Sequence, residues 1–240
     1  MGGRLPDFLG LGVQKGGTTS LHCLLAQHPG VFLPEEKEVH YFSHNFAAGV
    51  SWYRSQFAEA RPEQRCGEIT PYYIFHPQAP SRVQALLPQA RLIVLLRDPV
   101  ERALSQYFHS CRHGLEPLEL EAALVAESQR LQGADAALQA LDGQHRSHQE
   151  HSYLSRSRYE QQLPQWLESF PSDQLLILRS EDLFEKPQEV WQQLLEFLTL
   201  DFCAVPSLQQ PANSGRGEAA QVSAELRTRL RAELDDTYRW

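Results

Sequence analysis

Several features that would indicate a membrane or nucleic-acid role are missing from this sequence. Its 240 residues contain no uninterrupted apolar run of about 18 residues, so no transmembrane helix is predicted. The N-terminal segment 1–7 lacks the charged, apolar and small-residue regions of a secretory signal. The net charge is −8, which disfavours sequence-independent nucleic-acid binding, since that needs Lys and Arg against phosphates. We therefore expect a cytoplasmic protein with no membrane span and no nucleic-acid partner.

Cysteine is scarce and scattered. The four cysteines are Cys23, Cys66, Cys111 and Cys203, and no two of them form a CxxC pair. Without such a pair a bound metal is not expected. A chain of this length buries a substantial core, so a disulfide framework is not expected either. The sequence indicates a single domain over residues 1–240 with reduced thiols.

What the sequence does contain is an alternation of apolar strands and amphipathic helices. Strands are predicted at 7–13, 65–70, 91–96 and 174–178. The last two are nearly continuous apolar runs, which are typical of parallel strands buried on both faces. Helices are predicted to begin near Thr18, Val100, Pro187 and Ser223. Strands alternating with helices predict an α/β fold with a central parallel sheet.

Residues 116–151 differ from the rest of the chain. They are rich in Ala, Gln and Glu, their helical periodicity is weak, and they end in a polar stretch at 142–151. One interpretation is a surface helix with a solvated loop. The other is a helical insertion that covers a ligand cleft, since functional sites favour such segments.

The most informative segment is a glycine-rich turn between the first strand and the first helix. Gly12, Gly17 and Thr19 fit the phosphate-loop spacing G-x-x-x-x-G-K-[ST], but Thr18 stands where the lysine belongs and Lys15 lies inside the loop. Glycines let backbone N–H groups approach an anion, and the helix N-terminus adds a positive dipole. The turn is predicted to bind a phosphate-like group without requiring MgATP. An ordinary tight turn is the alternative.

Together with four further segments, this loop resembles the sulfotransferases that use 3′-phosphoadenylyl sulfate. The five segments, in the family's order, are 14–21, 36–42, 67–71, 97–105 and 178–183. The similarity is to bacterial single-domain enzymes, sulfotransferase modules of polyketide synthases and heparan sulfate sulfotransferases. It implies a three-layer, P-loop-NTPase-like α/β fold with the helical insertion over the cleft. It also implies metal-independent, in-line transfer of a sulfuryl group to an acceptor hydroxyl, with release of adenosine 3′,5′-bisphosphate.

The resemblance also implies a donor site. Its 5′-phosphosulfate would contact Lys15, Gly16, Gly17, Thr18, Thr19 and Ser20, and its 3′-phosphate would contact Arg97 and Ser105, with Arg216 in a late loop. Lys15 would stabilise charge on the bridging oxygen during transfer, and the planar fork of Arg97 suits a phosphate. The alternatives are a surface ion pair for Arg97, a local helix hydrogen bond for Ser105 and a solvated loop for Arg216.

The resemblance to the heparan sulfate branch assigns the general base to Glu38. His40 is the second candidate, because an imidazole accepts a proton near neutral pH. If the chain is extended there, both side chains face the same side. Glu68, Tyr72 and His76 are candidates for contact with the acceptor, and core packing is the alternative for each.

The acceptor itself is not identified by the sequence. It could be a small molecule, a glycan or a hydroxyl carried on a carrier protein. Two other functions stay open at this point. One is a P-loop kinase, against which Thr18 in the lysine position argues. The other is a nucleotide-binding module without catalysis.

Overall fold

A parallel five-stranded sheet forms the centre of the protein. A computed structural model describes residues 3–205 and 217–240. The strands are β1 (Phe8–Gly12), β2 (Val31–Phe32), β3 (Arg65–Ile69), β4 (Arg91–Leu96) and β5 (Leu175–Arg179). Their order across the sheet is β2-β3-β1-β4-β5, and every pair is parallel.

Helices cover the sheet on both faces. Within the described residues they are α1 (Thr18–Leu25), α2 (Gly49–Ser55), α3 (Ala79–Leu86), α4 (Pro99–Arg112), α5 (Leu120–Arg130), α6 (Ala134–Leu138), α7 (Arg146–Glu150), α8 (Tyr159–Ser169), α9 (Ser180–Glu185), α10 (Pro187–Leu198), α11 (Ala224–Glu233) and α12 (Asp235–Arg239). In the part of the chain that is described, no helix is long and apolar enough to cross a bilayer.

Alternate residues of the central strands supply two separate cores. Leu92 and Val94 of β4 pack into a cluster on one face, while Ile93 and Leu95 pack into a cluster on the other. Side chains alternate across a strand, so a strand buried on both faces reads as a continuous apolar run. The predicted three-layer α/β fold is confirmed.

The helix starts follow from local chemistry. Pro99 occupies the first turn of α4, and the Asp98 carboxylate caps the helix by accepting from the Glu101 N–H at 3.0 Å. Pro187 likewise opens α10, whose buried residues are Val190, Trp191, Leu194, Leu195 and Leu198. Ser223 caps α11.

The interpretation of 174–178 as a strand buried on both faces is wrong. β5 lies at the edge of the sheet, where β4 is its one partner among the described strands. Of its residues only Leu178 is buried, and Ile177 is 40% exposed. An edge strand and a central strand can carry the same apolar run. Whether other elements cover both faces of the strand depends on the rest of the fold and not on the local sequence.

Two buried carboxylates attach the 116–151 segment to the chain that follows it. Glu116 accepts from Tyr153 Oη at 2.7 Å and pairs with Arg130. Glu127 accepts from the backbone N–H groups of Leu154 and Ser155 at 2.8 and 2.7 Å. These contacts hold the helices of the segment in place. That the segment covers a ligand cleft stays a prediction.

Candidate active site

A cleft of about 690 Å³ opens at the carboxyl edge of the sheet. Loops that leave parallel strands meet at this edge, where open α/β sheets bind ligands. Its described lining residues are Gln14, Lys15, Gly17, Thr18, Thr19, Ser20, Glu38, Pro71, Arg97, Glu101, Ser105, Phe108, His109, Arg112, Ser180, Glu181, Phe184, Glu185, Gly217, Glu218 and Ala219. The cleft thus joins the glycine-rich loop, the start of α4 and Glu38.

Gly16 and Gly17 have different roles in the loop. Gly17 is the N-cap of α1 with φ of 91°, a conformation that favours glycine. A Cβ at Gly16 would lie 2.8 Å from the Leu95 carbonyl oxygen, so the loop can pack on β4 only without a side chain there. The Gly16 N–H donates to the Val13 carbonyl at 2.9 Å. The Gly16 amide is therefore used inside the loop, whereas Gly17 and the hydroxyl residues after it line the cleft.

Lys15 lines the cleft near other basic groups. Burial, followed by the charges of Arg112 and Arg97, lowers the pKa of Lys15 to about 8. Its Nζ atom is 3.5 Å from Nδ1 of His109. Burial and then the charge of Lys15 lower the pKa of His109 to about 4, so at neutral pH this ring is uncharged. Lys15 is thus a partly desolvated cation with a neutral hydrogen-bond acceptor beside it.

Arg97 is tied to the same loop. It donates from Nη1 to the Lys15 carbonyl oxygen at 3.0 Å. The acidic residues near it in sequence have other partners, because Asp98 caps α4 and Glu101 pairs with Arg227. Ser105 lines the cleft one turn after Glu101. Arg97 and Ser105 therefore present donors to the cleft from the end of β4 and the face of α4.

Glu38 contacts two potential cations. Its Oε1 lies 3.4 Å from Lys37 Nζ and its Oε2 lies 3.2 Å from His40 Nε2. Burial would raise the pKa of Glu38, but the hydrogen bond from His40 and the charge of Lys37 outweigh it, and the net pKa is lowered. The segment is not a strand, and His40 has φ of 55°, so the extended geometry that would place Glu38 and His40 on one side is not adopted. The two side chains are nevertheless in contact. Glu38 is ionised at neutral pH.

His40 is held on its far side by Ser43. Nδ1 of His40 is 3.1 Å from Ser43 Oγ, and the His40 backbone N–H donates to Thr70 Oγ1 at 3.3 Å. Both ring nitrogens of His40 therefore have partners, one of them Glu38. His40 itself is not among the residues that line the cleft.

Glu68 lies in the core rather than in the cleft. It is 1% exposed and accepts hydrogen bonds from Tyr53 Oη at 3.0 Å, Tyr73 Oη at 2.7 Å and Thr70 Oγ1 at 2.6 Å. Burial raises its pKa despite these three donors. A direct contact between Glu68 and an acceptor would require core side chains to move, and that contact stays a prediction.

The remaining predicted acceptor residues are also buried. Tyr72 is 3% exposed, and its hydroxyl lies 2.8 Å from Nδ1 of His148. His76 is 1% exposed, burial lowers its pKa to about 3, and its Nε2 has no hydrogen-bond partner among the described residues. Neither is among the described residues that line the cleft. Arg216 lies outside the described residues.

Two functional candidates emerge from the structure alone. His109 stands four residues after Ser105 on the same face of α4, and that spacing is the signal by which it could have been found. Gln14 lines the cleft and accepts from Arg156, which comes from the turn before α8. No sequence pattern points to Arg156, because its partner lies 142 residues away. Among the described residues, no group of three or more His, Cys, Asp or Glu side chains could hold a metal ion.

Comparison with known proteins places this geometry in a family. Residues 5–212 match the family described as sulfotransferase domain. The membrane-associated sulfotransferase kil1 of Dictyostelium discoideum is 30% identical over 82% of this chain and 56% of its own length. The human bifunctional heparan sulfate N-deacetylase/N-sulfotransferase 2 is 32% identical over 81% of this chain and 22% of its own length.

A solved structure agrees. A sulfotransferase from Alicyclobacillus acidocaldarius superposes with a TM-score of 0.81 and 25% identity, over 98% of this chain and 93% of that one. The chain spans little more than half the length of the first of its sequence relatives and about a fifth of the second. The match over residues 5–212 covers most of the sequence, and the chain belongs to the sulfotransferase domain family.

Proposed function

We propose that this chain transfers a sulfuryl group from 3′-phosphoadenylyl sulfate to an acceptor hydroxyl. The observation that carries the proposal is the single cleft that joins three groups. These are an anion-binding loop with its lysine inside, an arginine at the end of β4 with a serine on α4, and an ionised carboxylate. The loop and the arginine with its serine can bind the two phosphates of the donor. The carboxylate can take the proton of the acceptor hydroxyl.

The donor would bind between the loop and α4. Its 5′-phosphosulfate would meet the donors of the loop, where Lys15 and the hydroxyls of residues 18–20 surround the N-terminus of α1. Its 3′-phosphate would meet Arg97 and Ser105, since a guanidinium binds phosphate with two parallel hydrogen bonds. A contribution from Arg216 is part of the proposal.

The transfer would proceed directly and in line. The acceptor oxygen forms a bond to sulfur while the bond from sulfur to the bridging phosphate oxygen breaks, and that oxygen keeps the electron pair. The acceptor proton passes to Glu38 and then to solvent. A positioned base contributes roughly 10²–10⁴-fold to such a step. Lys15 would stabilise the charge that develops on the bridging oxygen.

Glu38 is the better candidate for the base. Its carboxylate lines the cleft, whereas the His40 ring lies behind it with a partner on each nitrogen. His40 would position Glu38, and Ser43 would position His40. The acceptor would be a small molecule, a glycan or a carrier-bound hydroxyl, and the heparan sulfate relative favours a glycan among these. A cytoplasmic location fits the four free cysteines.

Calorimetric titration tests the proposal. Adenosine 3′,5′-bisphosphate should bind in the micromolar range without metal, and ATP should not. Arg97→Gln should weaken binding about tenfold, through loss of roughly 1.4 kcal/mol of phosphate contact. Arg179→Gln is the matched control, because Arg179 ends the neighbouring strand β5 but does not line the cleft. ATP binding that appears only with Mg²⁺, and no bisphosphate binding, would favour a kinase instead.

A further inference from the structure

Two buried arginines each hold a glutamine by its side-chain oxygen. Arg102 is 0% exposed and donates from Nη1 to Gln106 Oε1 at 2.8 Å. Arg156 is 1% exposed and donates from Nη1 to Gln14 Oε1. Neither arginine has a carboxylate partner within salt-bridge distance among the described residues. The two pairs are therefore chemically alike, and they differ in where the amide nitrogen points.

The orientation of each amide is fixed by chemistry. A guanidinium has only donors, so the atom that meets it must be the amide oxygen, and the NH₂ group lies on the other side. In Gln106 that NH₂ group donates to the Glu150 carbonyl at 3.3 Å. In Gln14 no protein acceptor within the described residues meets the NH₂ group. Gln14 lines the cleft directly before Lys15.

Arg156 is locked in place, so the Gln14 amide is locked with it. The guanidinium stacks over the rings of Tyr72 and Phe75, at 5.1 and 5.0 Å from their centroids. Its Nη2 donates to the backbone carbonyls of His148 and Gln149 at 2.9 Å each. Turning the amide over would place its NH₂ against a buried cation.

We propose that Gln14 Nε2 donates a hydrogen bond to an oxygen of the sulfuryl group during transfer, and that Arg156 is the positioning residue that holds it there. This inference rests on the proposed function. A preorganised neutral donor next to Lys15 stabilises charge on the transferring group without the reorganisation that water would need. The positive charge of Arg156 polarises the amide and strengthens its N–H as a donor.

The test compares matched variants of the two pairs. Gln14→Met and Gln106→Met each leave a buried arginine without its amide partner, and so carry a similar stability cost. We expect kcat to fall about 10²-fold in Gln14→Met, the size of a lost oxyanion donor. In Gln106→Met kcat should stay within about twofold. The affinity for adenosine 3′,5′-bisphosphate should change less than about threefold in Gln14→Met, because the product lacks the sulfuryl group.

Failure of the proposed function and failure of the proposed Gln14 contact give different results. If wild-type protein neither binds the bisphosphate nor transfers sulfuryl, the proposed function fails. If wild type transfers and Gln14→Met keeps its kcat, or loses bisphosphate affinity in proportion to kcat, the contact with the sulfuryl group is overturned. Gln14→Glu covers the case in which Gln14→Met does not fold, because its carboxylate satisfies Arg156 but offers no N–H. Full transfer by Gln14→Glu would also overturn the proposal.

Discussion

Glu38 and Glu68 are two carboxylates of the same small region with opposite surroundings. Glu38 is 28% exposed in its side chain and contacts Lys37 and His40. Glu68 is 1% exposed and contacts three hydroxyl groups. Burial acts to raise the pKa of both, yet the pKa of Glu38 is lowered and that of Glu68 is raised. At Glu38 the contacts with His40 and Lys37 outweigh the effect of burial on the pKa, whereas at Glu68 the deeper burial outweighs the three hydroxyl donors.

The two carboxylates are also connected. Thr70 Oγ1 donates to Glu68 at 2.6 Å and accepts the His40 N–H at 3.3 Å. Glu68 thus fixes the backbone that carries the partner of Glu38. Buried polar groups whose donors are all paired form a rigid support of this kind. Glu38 lines the cleft beside that support, and substitutions at Glu38 and Glu68 should therefore have different effects.

The largest effect should come from Glu38→Gln. The amide keeps the shape of the side chain but cannot take the acceptor proton, so kcat should fall roughly 10³-fold. The affinity for adenosine 3′,5′-bisphosphate should change less than about threefold, because no bisphosphate contact is removed. Single-turnover assays and calorimetry measure the two quantities. The isosteric change Glu68→Gln is the control and should reduce kcat less than about tenfold, since it acts only through Thr70. An equal loss of transfer in both variants would contradict the assignment of the proton acceptor to Glu38 alone.

The sequence predicts the position of both carboxylates but not their environments. The loop at 12–19, the strand at 91–96 and the helix after it were identifiable from local patterns, since glycine spacing, apolar runs and a proline start are short-range signals. The donors to Glu68 come from Tyr53 and Tyr73, which reach it from two different elements. No local sequence pattern predicts hydrogen bonds between side chains of different elements.

Long-range contacts explain the other differences as well. The apolar run of β5 predicts a strand buried on both faces, whereas its edge position depends on which strands pair with it across the sheet. The role of Arg156 depends on a loop 142 residues earlier. His109 is the exception, because helical spacing from Ser105 would have placed it on the cleft face. Residues that act through neighbours in space need the fold before they can be assigned.

A smaller effect, on stability, should come from Glu68→Ala. The substitution leaves three buried hydroxyls without their acceptor, at a cost of about 3 kcal/mol in the free energy of unfolding. Such a change lowers the Tm of a chain of this size by roughly 2–4 °C per kcal/mol. Glu63→Ala is the matched control, because Glu63 is 66% exposed and should cost less than about 0.5 kcal/mol. Urea unfolding followed by circular dichroism gives both values. A Glu68→Ala protein as stable as Glu63→Ala would show that the three hydroxyls find other partners.

The smallest effect is a difference in sign between the pH dependences of the stability contributions of Glu38 and Glu68. The pKa of Glu38 lies below its ordinary 4.5 in the folded state, so its contribution to stability is present above pH 4.5 and is lost as the pH falls through the lower value. The pKa of Glu68 lies above 4.5, so its contribution is complete below pH 4.5 and is lost as the pH rises through the higher value. The destabilisation caused by Glu38→Gln should therefore grow as the pH is raised from the acid side towards 4.5. That caused by Glu68→Gln should shrink as the pH is raised further. Urea unfolding of the two variants and wild type across this range measures both slopes, and slopes of the same sign would show that one environment governs both carboxylates.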